Sequence, residues 1–197
     1  MERTISKLNR QINHKLTGIH DYEAININSR LGGLLDCYDI PENAKLACLT
    51  IDTSMKHLDE ITQNQKSKKS ILIGDLLSAH FYTLLAEIND STFQLAMSKA
   101  IVKSNELKSS LHHQVIETED IYDAIIEIET IFPYITLSHF SKEQVTPLNL
   151  YQKLIPEVDD YYPPYLKMYQ AADVHQFLKD INQSYIEKSR GNINDWK

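Results

Sequence analysis

The stretch ILIGDLLSAHFYTLLAEI, residues 71–88, is the part of this sequence that most restricts its fold. Twelve of its eighteen side chains are apolar, and a helix drawn from them has no polar face. A helix that is apolar nearly all round packs among other helices or against a partner rather than lying on a surface. Asp75 and His80 interrupt the run, and we expect His80 to be a hydrogen-bonded histidine of the core.

Helical spacing of apolar residues continues on both sides of this segment. Cys48, Ile51 and Met55 are three and four residues apart, which predicts an amphipathic helix over about 42–63. The polar residues 62–70 predict a loop. Pro133 is expected to kink or end the helix that contains it. The remaining helical patterns cover residues 91–114, 117–132, 142–154 and 164–188.

The fold class that follows is an all-α helical bundle, because no persuasive alternating run of β-branched residues occurs. With 197 residues the chain is long enough for one good-sized core. We therefore expect a single domain, in which residues 1–40 form N-terminal helices and residues 41–190 form the main helical core.

Charge and cysteine content exclude several classes of protein. The formal net charge is −7 and KSKK at 66–69 is the only basic run, so no nucleic-acid partner is expected. Cys37 and Cys48 predict free thiols in a reducing compartment. Asp75 would be costly at the centre of a bilayer, so no stable membrane insertion is expected. The polar N-terminus resembles no secretory signal, and we predict a cytoplasmic location.

Three acidic groups have a composition that a divalent cation could use, but each has a simpler interpretation. Only EDIYD at 119–123 has carboxylates at i, i+1 and i+4, and acids in the first turn of a helix are common for electrostatic reasons alone. The adjacent His112 and His113 point about 100° apart on a helix, so they cannot readily share one metal ion. The other two acidic groups are Asp52 with Asp59 and Glu60, and Asp159 with Asp160.

Residues 71–88 resemble the Gly-Asp helix of all-trans long-chain prenyl diphosphate synthases. In that family an upstream helix carries a DDxxD motif after a Ser-Leu-x-His lead, and residues 54–57 stand in the position of that lead. Asp59 then falls on the second aspartate of the motif, whereas Leu58 and Thr62 replace the first and third. The resemblance spans about residues 45–185 and implies the isoprenoid synthase fold.

Downstream segments also resemble this family, and they too have other residues at positions of its motifs. VHQFLKDIN at 174–182 is similar to the second Asp-rich motif, in which Lys179 replaces the first aspartate and Asp180 matches the second. Gln176 matches the family glutamine, and Gln183 replaces the third aspartate. Glu129 stands where the family has a lysine before Thr130, and a carboxylate there would repel a diphosphate.

With these departures from the motifs, the chain resembles the small subunits of two-component heptaprenyl diphosphate synthases. One carboxylate survives at each motif, namely Asp59 and Asp180, and we expect no catalytic or metal-binding residues in this chain. The resemblance implies a heterodimer with a catalytic subunit that carries intact Asp-rich motifs and binds Mg²⁺. That complex would condense isopentenyl diphosphate with farnesyl diphosphate, and its long-chain product would supply menaquinone side chains.

In the family, the Gly-Asp helix and its neighbour form the dimer interface and flank the elongation channel. The resemblance therefore implies candidates for the subunit contact or for contact with the isoprenoid chain, namely Asp75, Ser78, Phe81, Tyr82 and Leu85.

Two other functions stay open on the sequence alone. The first is an autonomous magnesium-dependent prenyl or terpene-type enzyme that uses Asp59, Asp120, Asp123 and Asp180. The second is a helical protein-interaction or ligand-sensing module unrelated to isoprenoids.

Overall fold

The structure of the chain, a computed structural model, describes residues 2–20, 22, 24–64, 68–117, 120–155 and 161–194. Within these ranges, the side chains of residues 61–64 and 184–194 are not described. The described residues are helical and contain no strand, which confirms the predicted all-α class. The helices are α1 Thr4–Lys15, α2 Ser29–Asp36, α3 Glu42–Asn64, α4 Lys68–Ile88, α5 Ser91–His112, α6 Ile121–Phe140, α7 Pro147–Leu154 and α8 Ala171–Asn194.

Several helix starts are fixed by side chains that accept hydrogen bonds from otherwise unpaired backbone N–H groups. Asn28 Oδ1 accepts from Leu31 N at 3.1 Å at the start of α2, and Asp90 Oδ1 accepts from Phe93 N at 2.9 Å at the start of α5. Between α4 and α5, Asn89 adopts φ +54°, a left-handed conformation that asparagine tolerates and that ends α4. Local sequence therefore sets these boundaries.

The helices divide into two compact units. Unit 1 comprises Met1–Ile101 and Phe132–Val145, and unit 2 comprises Val102–Ile131 and Thr146–Lys197. Helices α5 and α6 each contribute residues to both units. The single-domain organisation expected from the sequence, with residues 1–40 preceding a core of 41–190, stays a prediction.

Unit 1 is built around α3, in which every residue from 44 to 55 is buried. Helix α4 packs closely along it. Ser54 Oγ donates to Gly74 O at 3.0 Å and lies 2.8 Å from Ser78 Oγ. A methyl group at Gly74 would come within 2.4 Å of Leu58 Cδ2, so only glycine permits this approach without movement. We call this contact, made by Ser54, Leu58, Gly74 and Ser78, the α3–α4 seam.

Unit 2 has a separate apolar core in which α6 and α8 supply most of the buried side chains. Tyr151 of α7 and Leu166, in the 3-10 turn Pro164–Leu166, are completely buried in it. The buried members of the cluster are Leu111, Ile121, Ala124, Ile125, Ile128, Tyr151, Tyr165, Leu166, Val174, Leu178 and Ile181.

Two expectations from the sequence were wrong in detail. Pro133 was expected to kink or end its helix; the ending is wrong, because α6 continues to Phe140 with Pro133 inside it, and the kink stays a prediction. Phe132 and Leu137 are buried on either side of it, and their packing offsets the hydrogen bond that a proline cannot donate. The predicted loop 62–70 is too long, since α3 ends at Asn64 and α4 begins at Lys68.

Candidate functional site

The outward side of α4 is a surface of mostly apolar residues. Ile71, Leu72 and Tyr82 are 47%, 65% and 46% exposed, although each is large and apolar or aromatic. Helical spacing places them on one side of α4 together with smaller exposed residues. We call this surface the α4 stripe, and it consists of Ile71, Leu72, Asp75, Ala79, Tyr82 and Ala86.

The opposite side of α4 belongs to the core of unit 1. Its buried residues are Ser70, Ile73, Gly74, Leu77, His80, Phe81, Leu84 and Leu85. By length and composition α4 is also the one helix among the described residues that could cross a membrane. Because one side of α4 packs into unit 1, we interpret it as a core helix with an uncovered outer surface.

The five contact candidates are consequently divided between the two sides of α4. Asp75 and Tyr82 lie on the α4 stripe and face outward. Phe81 and Leu85 are buried in the core, and Ser78 is half-buried against Ser54 in the seam. Only Asp75 and Tyr82 are therefore placed to touch a partner directly. The role of all five residues in a subunit contact or channel stays a prediction.

His80 lies between α4 and α1, on the buried side of α4. Its Nε2 lies 3.0 Å from Gln11 Oε1, and since that oxygen only accepts, Nε2 carries the proton. The Nδ1 atom is buried and has no hydrogen-bond partner among the described residues. Burial, with a smaller contribution from Lys15, lowers the pKa of His80 from 6.5 to about 4. The expectation of a hydrogen-bonded core histidine is therefore confirmed for Nε2. Among the described residues, Nδ1 makes no hydrogen bond.

We expect His80 to make the stability of the chain depend on pH between about 4 and 6.5. In this window the unfolded chain binds a proton at His80 that the folded chain excludes. The contribution of His80 to the free energy of unfolding is therefore fully present above pH 6.5. As the pH falls towards 4, the free energy of unfolding decreases by about 1–3 kcal/mol. Urea unfolding at several pH values measures the slope. His80→Gln should flatten it, and an unchanged slope in that variant would contradict the assignment.

The two remnants of the Asp-rich motifs, Asp180 and Asp59, lie in different surroundings. Asp180 accepts hydrogen bonds from Tyr122 Oη at 2.9 Å and from Gln176 Nε2 at 2.7 Å. The bond to Asp180 raises the pKa of Tyr122. Asp59 is half-buried in α3. Among the described residues, no group of three or more His, Cys, Asp or Glu side chains could hold a metal ion. The donor set at these positions does not fit a magnesium cluster.

Of the other acidic candidates, Asp52 has partners within unit 1. Asp52 is buried in unit 1, where it accepts from Asn28 Nδ2 at 3.2 Å and pairs with Lys56 Nζ at 3.1 Å. Asp120 and Asp123 are exposed at the start of α6. Asp159, Asp160 and Glu119 lie outside the described residues.

Glu129 is the centre of a polar cluster that the sequence did not predict. Its side chain is 6% exposed, and its Oε1 accepts from Tyr161 Oη at 2.5 Å and from Tyr165 Oη at 2.7 Å. Burial and, to a smaller extent, the Glu129 carboxylate raise the pKa of Tyr151 and of Tyr165. A carboxylate thus anchors the segment before α8, at the position where the resemblance implies a lysine in the synthases. The available signal was that Glu129 lies between apolar residues of a helical run, but Glu127 shares this feature.

Comparison with known proteins agrees with the resemblance inferred from the motifs. Residues 2–135 match the family model described as HexPS-like, hexaprenyl diphosphate synthase, small subunit. The match covers more than half of the chain, and the chain belongs to this family of prenyl synthase small subunits.

A solved structure extends the similarity over almost the whole chain. It is the crystal structure of heptaprenyl diphosphate synthase from Staphylococcus aureus, to which this chain is 56% identical. The alignment covers 93% of this chain and 97% of that one, with a TM-score of 0.84. The predicted family and the predicted fold are both confirmed.

Proposed function

We propose that this chain is the non-catalytic subunit of a heterodimeric long-chain prenyl diphosphate synthase of the heptaprenyl class. Its partner is a catalytic subunit with intact DDxxD motifs. The observation that carries the proposal is the α4 stripe, an uncovered apolar surface on the Gly-Asp helix of a chain from a small-subunit family.

Division of labour between the subunits follows from the charged residues. The partner holds Mg²⁺, ionises the allylic diphosphate and joins isopentenyl diphosphate to it. This chain supplies neither cluster of carboxylates, and Lys179 and Glu129 carry charges opposite to those of the family residues they replace. This chain packs against the partner and helps to set the length of the product. We propose that the product feeds menaquinone synthesis in the cytoplasm.

The energetics of association require more than the α4 stripe. Fully burying a large apolar side chain contributes about 1.5–3 kcal/mol. Ile71, Leu72 and Tyr82 are roughly half exposed, so covering all three contributes about 2–5 kcal/mol. Association costs about 4–15 kcal/mol in lost freedom of motion. We therefore propose that the interface extends to α5, where Leu95 is 57% exposed.

Reconstitution tests the proposed division of labour. This chain, the catalytic subunit and an equimolar mixture are each incubated with farnesyl diphosphate, isopentenyl diphosphate and Mg²⁺, and products are separated by chain length. We expect no turnover from this chain alone, and long-chain product of the heptaprenyl class from the mixture at a rate well above that of the catalytic subunit alone.

Other outcomes would select the other functions. Robust turnover by this chain alone would indicate an autonomous enzyme that uses Asp59, Asp120, Asp123 and Asp180. Stable co-purification with a protein that lacks paired DDxxD motifs, together with no effect on the synthase, would indicate an interaction or ligand-sensing module.

A further inference from the structure

Asp75 occupies the centre of the α4 stripe. Each residue of an α-helix advances the side-chain direction by 100°, so Ile71, Ala79, Tyr82 and Ala86 all point within about 40° of Asp75. Leu72 points about 60° away. The single carboxylate of this surface is thus surrounded by apolar side chains on the exposed side of α4.

The free chain leaves the Asp75 carboxylate to water. Asp75 is exposed, and within the described residues it makes no ion pair and no side-chain hydrogen bond. The only other acidic residue of α4, Glu87, points about 120° away from it, and its Oε2 accepts from Asn43 Nδ2 at 3.1 Å. The internal structure of unit 1 therefore gives Asp75 no role.

Covering the α4 stripe would remove this carboxylate from water. An unpaired charge in an apolar contact is strongly unfavourable, whereas a charge that meets an opposite charge and hydrogen-bond donors can be accommodated. A partner that buries Ile71, Leu72 and Tyr82 must therefore bring a cationic donor to the middle of the same surface.

We propose that Asp75 is the charged centre of the subunit interface, and that the catalytic subunit presents an arginine or lysine side chain to it. This inference rests on the proposed heterodimer. It assigns to the partner surface a specific chemistry, which is an apolar helix face with one basic group opposite Asp75. Such a pair would fix the register of the two helices, because an axial shift would leave both charges unpaired.

The test is the affinity of the full-length chain for the catalytic subunit, measured by titration calorimetry with wild type, Asp75→Asn and Asp75→Lys. Asp75→Asn keeps the shape of the side chain and removes its charge, leaving the partner's cation without a counter-charge. We expect the dissociation constant to rise at least ~30-fold for Asp75→Asn and further for Asp75→Lys.

Glu87→Gln is the matched control, because it removes one negative charge from the same helix on a different side. Its affinity should stay within about 3-fold of wild type, as expected for a charge outside the contact. Thermal unfolding of the free Asp75→Asn chain should match wild type, since Asp75 is exposed.

The outcomes separate this inference from the proposed function. If wild type binds the catalytic subunit and Asp75→Asn binds equally well or more tightly, the charged centre is wrong and the heterodimer stands. If wild type does not bind the catalytic subunit, the proposed function and this inference are both overturned.

Discussion

Replacing Phe81 with alanine is expected to lower the free energy of unfolding by about 3–5 kcal/mol. Phe81 is completely buried on the inner side of α4, and its ring packs edge-on against that of Tyr82, with centroids 5.0 Å apart. Truncation removes this buried surface and leaves a cavity that the closely packed helices of unit 1 cannot fill. Urea unfolding followed by circular dichroism measures the loss.

Tyr82→Ala is the control for the Phe81 variant, since it truncates the adjacent aromatic residue on the exposed side of the same helix. We expect it to cost only about 1 kcal/mol, mainly through the lost ring contact with Phe81. The same variant should bind the catalytic subunit more weakly. Equal destabilisation by the two variants would mean that the inner and outer sides of α4 are assigned wrongly.

Replacing Glu129 with alanine is expected to destabilise the chain by about 2–5 kcal/mol. The variant would remove the Glu129 oxygen that accepts from the hydroxyl groups of Tyr161 and Tyr165. Tyr165 is buried, and a buried polar group that loses its partner costs about 1–3 kcal/mol. Thermal or urea unfolding of the purified chain measures the change.

Two further variants identify the cause of that loss. Glu129→Gln keeps an acceptor oxygen near Tyr161 and Tyr165, so it should cost less than half as much as Glu129→Ala. Glu127→Ala removes a half-buried carboxylate of the same helix and should cost under about 1 kcal/mol. Equal losses for Glu129→Gln and Glu129→Ala would show that the charge, rather than the hydrogen bonding, stabilises the cluster.

The sequence was sufficient for the helices that have strong apolar periodicity. Helix α3 was predicted over 42–63 and extends from Glu42 to Asn64, because its apolar residues Cys48, Ile51 and Met55 recur at helical spacing. Helix α4 was predicted over 71–88 and begins three residues earlier, at Lys68. The polar residues at its start carry no periodic signal, so the spacing of apolar residues did not show where the helix begins.

Features that depend on distant residues could not be predicted. Helix α6 does not end at Pro133, because packing on both sides of the residue outweighs the local preference for ending there. The Glu129 cluster joins residues 32 and 36 positions apart, and nothing near Glu129 in the sequence indicates which hydroxyl groups reach it. Composition also did not show which side of α4 is uncovered, because the helix is apolar on both sides.

Gly74 lies on the buried side of α4, and the next residue, Asp75, lies on its exposed side. Helix α4 is a stiff rod whose distance from α3 is set at the seam, where Leu58 occupies the space that a side chain at position 74 would need. A substitution there would require either the Leu58 side chain or α4 to move, and any movement of α4 at this point would carry Asp75, the next residue, with it. Changes in partner preference could therefore arise in the interior of this subunit while every residue on the contacting surface stays the same.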